Sequence, residues 1–120
     1  MKDMTRLTIA IPNYNGGENL KRAIISCQNI RIPIQEYEII VVDNCSTDNS
    51  RDIVNELKNE FSNLVFLQNK ENVGRIQNWN VCIEKAKGKF LIFLFSNDEI
   101  NQHNSIHECL EILDKNDNIS

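Results

Sequence analysis

Four short runs of the chain are apolar at almost every residue, and each ends abruptly in polar residues: Leu7-Thr8-Ile9-Ala10-Ile11, Glu38-Ile39-Ile40-Val41-Val42, Leu64-Val65-Phe66-Leu67 and Phe90-Leu91-Ile92-Phe93-Leu94-Phe95. A strand with one face in water alternates apolar and polar residues. A near-continuous run fits a strand of a parallel sheet covered on both faces. Segments with helical spacing separate the runs, so the order reads β-α-β-α-β-α-β-α. That order requires right-handed crossovers and a doubly covered α/β sheet, a Rossmann-like arrangement.

Leu20, Ala23, Ile24, Cys27 and Ile30 recur on one helical face after the turn-forming Asn15-Gly16-Gly17, and Pro33 stops any continuation. A second helix is expected from about Asn49 to Phe61, with Ile53, Val54, Leu57 and Phe61 inward and Ser46, Thr47 or Asp48 as its cap. In the third helix the spacing of Ile76, Trp79, Ile83 and Ala86 marks an inward face with Trp79 in the core, and Gly88 is read as its stop. Phe90–Phe95, with no internal polar residue, is expected to be the most buried strand, and Pro12 is expected to end the first. Ser105 and Glu108, at capping-box spacing ahead of Ile106, Leu110 and Leu113, predict a last helix.

The 120 residues, 41% of them hydrophobic, suit one compact domain. The net charge of −4 is spread along the chain, without the clustered Lys and Arg of a nucleic-acid binder. No apolar run is long enough to cross a bilayer, and Met1-Lys2-Asp3 does not begin a signal peptide, so a cytoplasmic protein is expected. Cys27, Cys45, Cys82 and Cys109 lack both the pairing of a zinc site and the density of a disulfide scaffold; they read as reduced thiols, three of them on apolar faces. His103 and His107 have no partner pattern and are assigned no catalysis.

In a parallel α/β sheet the residues just past each strand meet at one edge, where ligands bind. Here those exits carry Asn13-Tyr14-Asn15, Asp43-Asn44, Asn69-Lys70 and Asn97-Asp98-Glu99. A ring able to stack, hydrogen-bonding groups and two carboxylates suit a nucleoside diphosphate. Carboxylates beside a diphosphate require a bridging divalent cation, and Mg2+ or Mn2+ prefers such oxygen ligands. Asp98 is the expected metal ligand, with Glu99 assisting. The chain has no Gly-x-Gly-x-x-Gly for a dinucleotide and no Gly-Lys-Ser/Thr loop for a P-loop site. A receiver-like signalling domain would need acidic residues where Asn13-Tyr14-Asn15 stands.

The segments Ile11–Asn15, Val41–Asp48, Asn72-Val73-Gly74 with Asn80, Ala86–Phe90 and Leu94–Glu99 resemble, in this order and spacing, the family-two glycosyltransferases of the GT-A fold. The resemblance implies that Pro12 and Tyr14 line a base pocket with Tyr14 against a uracil or similar ring, and that Asp43 accepts a hydrogen bond from the base. It also implies that Asn97 contacts ribose or metal, that Asp98 coordinates the metal, and that Arg75 or Lys70 neutralises a phosphate. Asn44 stands where many members have a second Asp, and Asn97 where an acidic residue is common. Each removes a negative charge.

The reaction implied is inverting transfer of a sugar from a nucleoside-diphosphate donor, a UDP-sugar favoured, to a hydroxyl of a glycan or lipid-linked glycan in polysaccharide or glycoconjugate synthesis. Residues 1–120 are expected to supply the donor part. The general base and acceptor half are expected beyond Ser120, where peripheral association with the inner face of the membrane is a further expectation. The alternative is a non-catalytic nucleotide-binding or regulatory module.

Overall fold

The computed structural model describes residues 5–30 and 32–95. The elements run β1 (Leu7–Asn13), α1 (Gly17–Ser26), β2 (Tyr37–Asp43), α2 (Ser50–Leu57), β3 (Leu64–Gln68), α3 (Arg75–Lys85) and β4 (Phe90–Phe93), with short 3-10 turns at Cys27–Asn29 and Ile34–Glu36. The four strands lie in one sheet of order β3-β2-β1-β4, every neighbour parallel. The last helix expected from Ser105 lies outside the described residues.

The sheet divides its side chains by parity, as the two-residue period of a strand requires. Leu7, Ile9, Ile11, Ile39 and Val41 point to one face and form the main core with Leu20, Ala23 and Ile24 of α1 and Ile53, Val54 and Leu57 of α2. Ala10, Ile40 and Val42 point to the other face and pack with Cys82 of α3. The near-continuous apolar character of β1 and β2 thus has its cause in a helix layer on each side, and both strands are buried along nearly their whole length.

Several local expectations are corrected. β1 passes through Pro12 to Asn13. Asn13 C=O accepts from the Asn44 N–H on the β2 side, and Ala10 C=O accepts from the Leu94 N–H on the β4 side. By alternation Pro12 faces β4, which ends at Phe93, so its missing N–H removes no bond to β2. α2 ends at Leu57, and the following turn carries Phe61 into the same core. Asp48 Oδ1 accepts from the Ser50 N–H at 3.0 Å, satisfying a donor at the helix start from just outside it.

The buried face of α3 is Asn78 and Cys82; Ile76 and Ile83 are 60% and 54% exposed, and Trp79 is half-buried instead of in the core. Phe90–Phe93 is half-buried at every residue, so β4 is less buried than β1 and β2. Gly88 does not end α3, whose cap is Ala86; it lets the chain pass close to β1, since a Cβ there would lie 2.5 Å from the Thr8 backbone nitrogen. The Gly88 N–H donates to Thr8 Oγ1 at 2.8 Å, and Thr8 donates in turn to Glu38 Oε2 at 2.7 Å. Among the described residues no helix is long and apolar enough to cross a membrane.

Candidate functional site: a cleft at the sheet's switch point

β1 connects forward to β2 on one side, whereas β4, on its other side, is reached from β3. The order therefore reverses beside β1, and the crevice beyond the carboxyl ends of such strands is where ligands bind in open α/β sheets. A cleft of about 320 Å³ lies there, lined by Pro12, Tyr14, Asn44, Asn72, Arg75, Trp79 and Phe95. Pro12, Tyr14 and Arg75 of the sequence-derived set are thus brought together. Lys70 is not part of this lining; its carbonyl accepts from Cys45 Sγ at 3.7 Å. Asn97, Asp98 and Glu99 lie outside the described residues, and among the described residues no cluster of three His, Cys, Asp or Glu is placed to hold a metal.

One wall is aromatic. The Trp79 ring lies 5.5 Å from Phe95 and 6.3 Å from Phe93, centre to centre, and Phe93 stacks on Phe95 at 6.1 Å. The Arg75 guanidinium sits 5.7 Å from the Trp79 ring centre, a cation-π arrangement that holds a positive charge at an otherwise uncharged lining. Tyr14, 51% exposed, offers its ring from the β1 exit. Trp79 and Phe95 were missed as site residues because their hydropathy reads as core. The available signal was Asn78, a polar residue that helical spacing places beside Cys82.

Asp43 is fully buried and its carboxylate is saturated by protein donors. Oδ1 accepts from Asn13 Nδ2 at 2.8 Å and Ser46 Oγ at 2.6 Å; Oδ2 accepts from the Ser46 N–H at 2.8 Å and Gln68 Nε2 at 3.0 Å. The register makes this possible, because Asn13, Asp43 and Gln68 pair side by side across three strands. Asn13 turns its NH2 toward the carboxylate and leaves its own buried Oδ1 without a partner, a cost of about 1–3 kcal/mol set against a buried charge that needs donors. Asn15 Oδ1 accepts from the Thr47 and Asp48 N–H groups at 2.8 and 3.2 Å, so the first two strand exits are stitched together.

A second network joins the β2 and β3 exits to α3. Asn44 Oδ1 accepts from Asn69 Nδ2 at 3.0 Å and the Val73 N–H at 2.9 Å, and Asn44 Nδ2 donates to Asn72 Oδ1 at 2.9 Å. Asn69 also donates to Asn78 Oδ1 at 2.7 Å, and the buried Asn78 donates to Val42 C=O at 3.1 Å.

A parallel sheet with both faces covered and a cleft at its switch point is an architecture that GT-A nucleotide-diphospho-sugar transferases share with other doubly wound α/β proteins. The chain belongs to glycosyl transferase family 2, whose model matches residues 8–120. It is 36% identical over 96 residues to a poly(ribitol-phosphate) beta-glucosyltransferase of Bacillus spizizenii, an alignment covering 79% of this chain and 15% of that protein. It is 30% identical over 99 residues to the poly(ribitol-phosphate) beta-N-acetylglucosaminyltransferase TarS of Staphylococcus aureus, covering 82% and 17%. The chain therefore spans less than a fifth of these relatives' length. The crystal structure of S. aureus TarS in complex with UDP-GlcNAc superposes with a TM-score of 0.84 at 29% identity, covering 92% of this chain and 32% of that one. A mannosyltransferase of Pyrobaculum calidifontis superposes at 0.83 with 19% identity, a likeness of fold.

Proposed function

We propose that this chain forms the donor site of an inverting glycosyltransferase, binding a nucleoside diphosphate sugar, with uridine the favoured base. The observation that carries the reading is the cleft itself: a half-exposed tyrosine ring, an aromatic wall and one guanidinium gathered at the switch point of a family-two sheet. The base stacks on Tyr14 against Pro12, and Arg75 meets the diphosphate through charge-assisted hydrogen bonds. UDP is favoured because TarS, 30% identical in sequence, was crystallised with UDP and with UDP-GlcNAc.

Asp98, with Glu99, is the proposed ligand of a Mg2+ or Mn2+ ion. Asp98 follows the cleft residue Phe95 by three positions, a covalent reach of at most ~11 Å, and its donor chemistry fits a hard cation. When bound, the ion offsets the diphosphate charge as the leaving group departs. Asp43, which does not line the cleft and whose carboxylate is held by Asn13, Ser46 and Gln68, serves the base through the loop it orders. The acceptor is proposed to be a hydroxyl of a glycan or lipid-linked glycan, and the site of action the cytoplasm or the inner face of the membrane.

Calorimetric titration with UDP, GDP and TDP, each with and without Mn2+, tests the reading. UDP is expected to bind in a Mn2+-dependent manner, and Asp98→Ala to lose that dependence. A folded sample that binds none of the three nucleotides overturns it.

A further inference from the structure

We infer that Asn44 is a positioning residue that sets the Asn72–Arg75 loop, and that its amide, able to donate and accept at once, is what the position requires. This rests on the donor-site reading above.

The carbonyl oxygen of Asn44 accepts two hydrogen bonds, from Asn69 and from the Val73 backbone, while its NH2 donates to Asn72 Oδ1. The same Asn72 oxygen accepts from the Gly74 N–H at 2.8 Å. Gly74, at φ 89 and ψ 158, is the cap from which α3 starts, and Arg75 is the first residue of that helix. Asn44 is 3% exposed, so its own amide relies on protein partners, while Asn72, Val73 and Gly74 are exposed. A carboxylate at position 44 keeps the two accepted bonds but turns a lone pair toward Asn72 Oδ1. If Asn72 flips its amide to donate instead, Gly74 loses its acceptor. No arrangement of an aspartate at 44 satisfies all four groups within the protein; one of the exposed groups on Asn72 or Gly74 is left to water. In this chain Asn44 forms with Asn72 and Gly74 a bonded set that holds the start of α3, where Arg75 lines the cleft.

The test measures UDP binding with Mn2+ for wild type, Asn44→Ala, Asn44→Asp, Asn72→Ala and Arg75→Gln, each checked for folding by thermal melting. Asn44→Ala and Asn72→Ala are expected to weaken UDP roughly ten-fold. On an Arg75→Gln background Asn44→Ala is expected to cost little more, because it acts through the arginine. Asn44→Asp is expected to weaken UDP at neutral pH and to recover, relative to wild type at the same pH, as the introduced carboxyl protonates and regains a donor. Amide hydrogen exchange reads the anchoring without any nucleotide, with faster exchange expected at Val73 and Gly74 in Asn44→Ala. Wild-type UDP binding with an unaltered Asn44→Ala affinity, an additive cycle with Arg75→Gln, or unchanged exchange at both amides overturns the positioning role alone. Failure of folded wild type to bind UDP, with the exchange difference intact, overturns the donor-site reading and leaves the loop anchoring standing.

Discussion

Two glycines of the α3 region are required for different reasons, and alanine separates them. At Gly74 a Cβ would meet nothing within 4 Å, but φ is +89, so Gly74→Ala carries backbone strain alone, about 1–3 kcal/mol. At Gly88 the backbone angle is ordinary, but a Cβ would press on the backbone of Leu7 and Thr8 at 2.6 and 2.5 Å. Gly88→Ala must move a central strand, and a loss of about 1–3 kcal/mol or more is expected in chemical denaturation, with the larger loss at Gly88. In the cleft, Arg75→Gln is expected to weaken UDP by roughly ten- to a hundred-fold, the worth of a charge-assisted bond, while leaving the melting temperature nearly unchanged, since Arg75 is exposed. Pro12 and Arg75 were expected from the family resemblance, whereas Tyr14 was legible in the sequence because turn chemistry marks a strand exit. Trp79 was not, because an indole on a helix scores as core whether it faces the sheet or a cleft.

Helix α3 shows how an element can be recognised while its face is misassigned. Two apolar sets compete on it: Ile76 and Ile83 are exposed, while Cys82, helped by Val81 and Ala86, meets the sheet. Asn78 settles the rotation by donating to Val42 C=O and accepting from Asn69. Two substitutions test this register in thermal melts. Ile76→Gln is expected to change stability by no more than about 0.5 kcal/mol, whereas Ile24→Ala, in the main core, is expected to cost about 2–5 kcal/mol. An Ile76→Gln loss as large as that of Ile24→Ala would place the inward face of α3 at Ile76. On α1 and α2 every inward residue expected is buried, and the one large apolar side chain left outside the stripe, Ile25 of α1, is exposed.

At the scale of the whole molecule, the two covered sheet faces hide Cys27 and Cys82, and burial pushes their thiols up to about 12 and about 11. In the unfolded chain both ionise near 9.0, so above that pH the unfolded state sheds protons that the folded state keeps. Their contribution to stability is complete below about pH 9 and is lost as the pH rises through the folded values, so the denaturation midpoint is expected to fall from pH 9 upward. A thiol reagent at neutral pH is expected to modify Cys45, which is partly exposed, and to reach Cys27 and Cys82 only on unfolding. Rapid modification of either buried thiol in the native state contradicts the two-layer burial.

Local chemistry was enough to determine that this chain makes a parallel α/β sheet. The apolar runs of β1 and β2 match their covering on both faces while those of β3 and β4 are only partly buried, the helical stripes supply the layers, and the polar residues at each run's end mark the edge where a ligand is met. Tertiary structure alone decided which side of that edge is the cleft, which face of α3 meets the sheet, and which asparagines are bonded to one another. Hydropathy records whether a residue prefers water, whereas a hydrogen bond between Asn44 and Asn72 depends on register, helix rotation and loop position together. Those quantities exist only once the strands have paired.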